Sequence, residues 1–145
     1  MRTVKRTALV ARPPALVYEL VNDIRSYPQF VPGCTAAEVL SESAHEVVAR
    51  LSVKRGVLST HFTTRNRLKP HHSVHMHLVE GPFKQLEGDW QFHAAGAAGC
   101  KIDFTLRFQF SNALKAALFE PLFEQTMGDL LRAFVKRAQQ SEPGK

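Results

Sequence analysis

The chain holds 145 residues, 44% of them hydrophobic and ten of them Phe, with a formal net charge of +6. That length and apolar content suit one domain over 1–145 with a real core, and they exclude a disordered chain. The positive balance fits an acidic partner such as RNA, a ribosome or an anionic membrane surface.

Residues 3–11 alternate as a half-buried strand does, with Val4, Ala8 and Val10 on one side. The pattern begins so close to Met1 that no signal or transit peptide is expected. Arg12-Pro13-Pro14 ends the strand, and Leu16, Val17, Leu20, Val21 and Ile24 then recur at helical spacing. Residues 26–33 form a short apolar segment too rich in Pro for a long element. A second strand is expected over 35–43. A third, over 46–54, turns Val47, Ala49, Leu51 and Val53 inward.

Gly56 marks the next turn. The fourth strand then puts Leu58, Thr60, Phe62, Thr64, Asn66 and Leu68 on one face and His61, Arg65 and Arg67 on the other. After Pro70-His71-His72 comes a fifth strand over 73–80, holding Val74, Met76 and Leu78. Gly81-Pro82 breaks it, and a sixth presents Leu86, Gly88, Trp90 and Phe92. Past a Gly/Ala-rich loop over 94–99, the seventh strand over 101–110 alternates most cleanly, with Ile102, Phe104, Leu106, Phe108 and Phe110 inward.

Helical spacing follows, with Ser111 as the expected N-cap. Pro121 predicts a break, hence a short helix near 112–119 and a longer one from 121. Phe123, Met127, Leu130 and Phe134 stripe one side of the longer helix, and Asp129, Arg132, Lys136 and Arg137 its wet side. The core is expected to end near 139, with a frayed tail beyond. Strand, helical region, six strands and helix together give an α+β class, a curved antiparallel sheet of seven strands wrapped around a C-terminal helix.

Cys34 and Cys100 are far apart and match no zinc or redox spacing, so they read as reduced, partly buried thiols of a cytoplasmic protein. No apolar run reaches the length of a membrane span, so any membrane contact would be transient and peripheral. His75 and His77 point the same way from one strand, near His71 and His72, but no third ligand at fixed spacing supports a metal. The motifs of Ser hydrolases, zinc proteases, P-loops and dinucleotide folds are missing, and inward acidic residues are scarce. No enzyme, cofactor or metal is expected.

Four blocks carry a resemblance. They are Tyr27-Pro-Gln-Phe30 with Pro32 and Cys34; Phe62-Thr-Thr-Arg-Asn-Arg-Leu68; Gly81-Pro-Phe83; and Leu86-Glu-Gly-Asp-Trp90-Gln-Phe92. Together they resemble the START-like helix-grip superfamily, in the branch holding RatA ribosome association toxins and coenzyme Q-binding proteins, often labelled polyketide cyclase/dehydrase. The resemblance runs over about 4–138. Gly33 departs from it, standing where that branch has a bulky aromatic before the cysteine.

The resemblance implies a ligand cavity between sheet and helix, set against the plain packed core that such faces also form. Its expected lining is Phe62, Thr64, Asn66, Met76, Leu78, Gly88, Trp90, Phe104, Leu106, Phe108 and Met127. Inward polar groups at Thr64 and Asn66 need partners when buried, and Gly88 and Gly128 remove volume from facing elements. Tyr27, Phe30 and Phe83 fall outside the regular strands, either as a pocket mouth or as a plug of the core end. Outside, Arg50, Lys54, Arg65 and Arg67 share a sheet face suited to phosphate docking, with no aromatics for base stacking.

Two functions are implied. The first is non-enzymatic binding of ubiquinone or another isoprenoid quinone or lipid, as a chaperone or carrier supporting respiration, in the cytoplasm or peripherally at the inner membrane. The alternative is docking on the large ribosomal subunit, blocking subunit association and translation. No DNA is expected as a partner.

Overall fold

A computed structural model describes residues 1–140. Its strands are β1 (Arg2–Val10), β2 (Cys34–Glu42), β3 (Glu46–Arg55), β4 (Leu58–Lys69), β5 (Ser73–Glu80), β6 (Phe83–Ala95) and β7 (Gly99–Phe110). Between β1 and β2 lie α1 (Pro14–Asn22), one 3-10 turn (Ile24–Ser26) and α2 (Tyr27–Phe30), and α3 (Ala113–Gln140) closes the described chain. All seven strands form one antiparallel sheet in the order β1-β7-β6-β5-β4-β3-β2.

The inner face follows from alternation. Along β7, Cys100, Ile102, Phe104, Leu106, Phe108 and Phe110 are all buried, while Lys101 and Arg107 are exposed. Register carries that face across the sheet, pairing Phe104 with Trp90 and Leu106 with Gly88 on one side, and Phe104 with Arg6 on the other. Residues directly opposite in an antiparallel pair share a face. Arg6, on that face, is exposed at the sheet edge. A bulge between Thr63 and Thr64 shifts the β4–β5 register.

Pro121 does not split the last helix: α3 runs unbroken through it. Proline removes one N–H and leaves the carbonyl four residues earlier unbonded. Both Ala117 and Pro121 lie on the exposed side of the helix, where a freed carbonyl costs least, while Phe119 and Phe123 on the other side pack into aromatic contacts. The cap is also not Ser111. Asn112 Oδ1 accepts from the Lys115 N–H at 2.8 Å, and the Asn112 carbonyl takes the first helical bond from Ala116. At the other end Gln139 and Gln140, expected at the start of the frayed tail, remain helical, and the rest of that tail, 141–145, lies outside the described residues. The predicted loop over 94–99 shrinks to 96–98, because β6 and β7 pair as far as Ala95 and Gly99.

α3 lies chiefly over β1 and β7, and α1 fills the corner against α3, β6 and β7. Gly33 makes the turn into β2. Its φ of +82° is strained for any residue with a Cβ, and its carbonyl accepts from the Lys54 N–H at 2.8 Å.

One ion pair ties the β3–β4 hairpin to α3. Arg55 Nη1 donates to Asp129 Oδ2 at 2.5 Å, and Arg132 donates to the same carboxylate. The Arg55 hydrogen bond above all, helped by Arg132, holds the Asp129 carboxyl below the usual carboxylate range. A folded-state pKa below the unfolded one stabilises above the unfolded value, and the gain is lost as pH falls through the folded value. Asp129→Asn is therefore expected to cost about 1 kcal/mol at neutral pH. Urea unfolding of both proteins from pH 7 downward checks it, since the gap must close as the pH falls through the lowered Asp129 value. A gap independent of pH would refute this account.

Candidate functional site

Phe123, Met127 and Leu130 follow at spacings of four and three, so they share the α3 face turned to the sheet. Beneath them stand Ala49 and Leu51 of β3, Phe62, Thr64 and Asn66 of β4, and Met76 of β5. Leu86 and Trp90 of β6, Phe104 and Leu106 of β7, and Ile24 and Tyr27 complete the wall. The cavity measures about 50 Å³. Such a void holds a few waters at most, whereas ligand pockets usually measure about 300–1,000 Å³.

Two aromatic clusters border the void. In one, Phe123 packs its ring against Phe62, Phe83, Phe108 and Phe110 at centroid distances of 5.8, 5.1, 4.8 and 5.9 Å. In the other, Phe134 meets Tyr27, Phe30 and Trp90 at 5.1, 5.2 and 5.4 Å. Each cluster lends two rings to the wall, Phe62 and Phe123 from the first and Tyr27 and Trp90 from the second.

Of the expected lining, Phe62, Thr64, Asn66, Met76, Trp90, Phe104, Leu106 and Met127 stand on the wall. Three do not. Phe108 is wholly buried inside the first cluster, and Leu78 lies beside Gly81 at the end of β5. Gly88 acts by absence: a Cβ there would sit 2.6 Å from Met76 Cε and 3.0 Å from Leu106 Cδ1, so these side chains fill its space. Gly128 leaves no volume to the cavity, because a Cβ there would meet the Arg6 guanidinium at 3.7 Å. Ala49, Leu51, Leu86, Phe123 and Leu130 were legible as inward positions of their elements, although only the packing brings them to one void. Ile24 reaches it from the 3-10 turn.

The expected mouth is rearranged. Phe83 is not in a loop: it opens β6 and is buried against Phe110 at 4.5 Å between centroids. Tyr27 sits on α2, buried on the cavity wall, and its hydroxyl donates to the Val21 carbonyl. Burial, with the nearby Cys34 and Asp23, pushes that phenol far up, so it stays neutral. Phe30 is half-buried under the Arg137 guanidinium, 4.9 Å from its ring centre. The thinner cover lies elsewhere. Leu51, Met76 and Leu78 point inward yet remain half-buried, because α3 leans toward the β1–β7 side.

Polar chemistry inside is confined. The Thr64 hydroxyl donates to Asn66 Oδ1 at 2.8 Å, and both residues are more than nine-tenths buried. That bond sets the orientation of the amide and leaves its two N–H donors with no partner among the described residues. The wall carries no carboxylate, imidazole, amine or thiol. It offers nothing to move a proton at neutral pH except a neutral phenol already in use. The thiols of Cys34 and Cys100 are buried elsewhere and pushed up by burial.

Outside, the register places Arg50, Lys54, Arg65 and Arg67 on one face of β3 and β4. Arg50 lies 3.9 Å from Glu80 and Arg65 3.5 Å from Glu46. Lys54 and Arg67 have no acidic partner among the described residues. Arg67 and Lys69 line an open cleft with His45, Ser73 and His75, where Glu46 is the one acidic residue. Lys69 and His45 were missed because the alternating pattern carries no information about surface clefts. His75 is held by Asp89 at 2.7 Å, its other nitrogen 3.7 Å from Glu87. Among the described residues no three His, Cys, Asp or Glu gather in a metal-binding group, and no helix is long and apolar enough to cross a membrane.

Residues 10–135 match the model of a family described as polyketide cyclase / dehydrase and lipid transport. A relative from Pseudomonas aeruginosa, named ribosome association toxin RatA, is 44% identical over 137 residues, 94% of this chain and 95% of its own. A Xenopus laevis relative, named coenzyme Q-binding protein COQ10 homolog B, mitochondrial, is 29% identical over 84% of this chain and 52% of its own. Among solved structures, the Zhui aromatase/cyclase of Streptomyces sp. R1128 superposes with a TM-score of 0.87. It covers 96% of this chain and 94% of that one, at 23% identity.

Proposed function

Since this chain belongs to the START-like polyketide cyclase/dehydrase and lipid transport family, we propose that it works by binding rather than by catalysis, docking on the large ribosomal subunit and hindering subunit association. The observation that carries this is the 44% identity, end to end, with a relative named ribosome association toxin. The outer face is compatible in its chemistry. Unpaired cations at Lys54 and Arg67, with Lys69 beside the latter, meet phosphates without base-specific contacts. Co-sedimentation with purified large subunits through sucrose tests it. The protein is expected to travel with them at about 50 mM salt and to be released as salt rises, as counterion release requires. Protein left at the top of the gradient at low salt refutes the reading.

A second reading has its own observation. The hydrogen-bonded Thr64–Asn66 pair set in a largely apolar wall supports an apolar ligand with one polar end, such as an isoprenoid quinone. The void at about 50 Å³ must open to take it, and the flexible tip of Met76, lying over Gly88, is the group whose movement opens it.

A further inference from the structure

A surface helix normally turns its apolar stripe to the core. The first turns of α3 carry a second stripe that faces outward. Leu114, Ala117, Leu118 and Pro121 fall on one side at spacings of three, one and three, and all four are exposed, the leucines at 70% and 50%. The row through Leu114 and Leu118 continues to Leu122, whose Cδ1 a Cβ built on Gly56 would meet at 3.9 Å. Gly56 is at the tip of the β3–β4 hairpin, and its neighbour Val57 is 72% exposed. Met1 lines a cleft with Ala113, Ala116 and Lys84 at the same end of the helix. Large apolar side chains gathered at one end of a chain mark a contact surface.

The charge around them has one sign. Register brings the start of β1, the β3–β4 and β5–β6 turns and the β7–α3 junction to this end of the sheet. Residues 54–58, 81–86 and 111–119 hold Lys54, Arg55, Lys84 and Lys115 and no acid. Arg55 is spent on Asp129, whereas Lys54, Lys84 and Lys115 have no acidic partner among the described residues. The acids that flank these segments in sequence, Glu80 and Glu120, face Arg50 at 3.9 Å and Arg2 at 3.7 Å. We propose that this end of the molecule docks on an anionic lipid bilayer, Val57, Leu114 and Leu118 entering the interface while Lys84 and Lys115 meet headgroup phosphates. A second copy of the chain fits worse, because a two-fold contact would set the same lysines against each other with no acid between them. Ribosomal RNA supplies phosphates but no apolar phase for the leucines. The surface shares only Lys54 with the outer face proposed above, and it needs no quinone in the cavity.

The test is flotation of the full chain with vesicles of phosphatidylcholine, with and without phosphatidylglycerol. Binding to the anionic vesicles is expected, and it should weaken as salt rises. Leu114→Gln with Leu118→Gln should weaken it on the order of tenfold for each leucine. Lys84→Gln with Lys115→Gln should weaken it about fivefold for each charge. Glutamine suits a helix, so melting of the leucine variant should move little, and its sedimentation with large ribosomal subunits should not change. No flotation with anionic vesicles overturns the proposal, and so does flotation kept in full by the leucine variant. Equal flotation with neutral vesicles overturns the part given to the lysines. A dimer that the leucine change splits would assign the face to a second copy, and loss of subunit binding without any flotation would assign it to the ribosome. Either result overturns membrane docking. Should the leucine variant fail to fold, the lysine variant decides alone.

Discussion

Arg65→Glu with Arg67→Glu is expected to weaken association with large ribosomal subunits on the order of 100-fold at low salt and to flatten its salt dependence by about two phosphate contacts. The two side chains are exposed on the outer face of β4, on either side of the inward Asn66. Each reversal removes an attraction to phosphate and adds a repulsion. Arg67 has no acidic partner among the described residues, so its full charge is available to a partner. Arg65 faces Glu46 at 3.5 Å, and a glutamate there adds like-charge repulsion, costing about 0.5 kcal/mol of stability. The fold and cavity should survive, which unchanged Trp90 emission verifies. Sedimentation at stepped salt is the measurement. Full affinity in the double variant would place the docking surface elsewhere on the molecule.

Phe123→Ala is expected to cost about 3–5 kcal/mol, a large share of the 5–15 kcal/mol typical of a folded domain. Phe123 is wholly buried and touches four other phenylalanine rings from β4, β6 and β7, so it anchors α3 to three strands. Truncation loses transfer energy and leaves a hole beside an existing void, and edge-to-face ring contacts are lost as well. Phe123→Leu keeps most of the volume and should cost under about 1.5 kcal/mol. Urea unfolding of both variants decides. A loss for the alanine variant no greater than for leucine would mean that α3 collapses onto the sheet, and the helix would then not be rigidly held over the cavity.

Much of this is written in the chain itself. The seven strands stand within a few residues of their expected places, because the alternation along 58–68 and 101–110 is strict. The inward facing of Thr64 and Asn66 was legible for the same reason. Pro121 misled, since a proline's cost depends on whether the freed carbonyl meets water, and exposure of Ala117 is a tertiary fact. Phe83 misled too: Gly81-Pro82 signals a turn, but where the next strand begins depends on its partner, and Phe83 pairs with Phe110.

The fold's faces belong to the chain itself. Successive Cβ atoms on a strand point to opposite sides whatever surrounds them, so polarity written at alternate positions decides which side is dry. The cavity does not belong to it in that way. Its volume is the small remainder left by side chains from β3 to β7, α2, α3 and a 3-10 turn. Met76 folded into the space over Gly88 is part of that remainder, and a rotamer change alters it with no change in pattern. The polar pair on its wall is likewise a product of packing, for only the folded chain brings the Thr64 hydroxyl to the Asn66 carbonyl within an apolar surround.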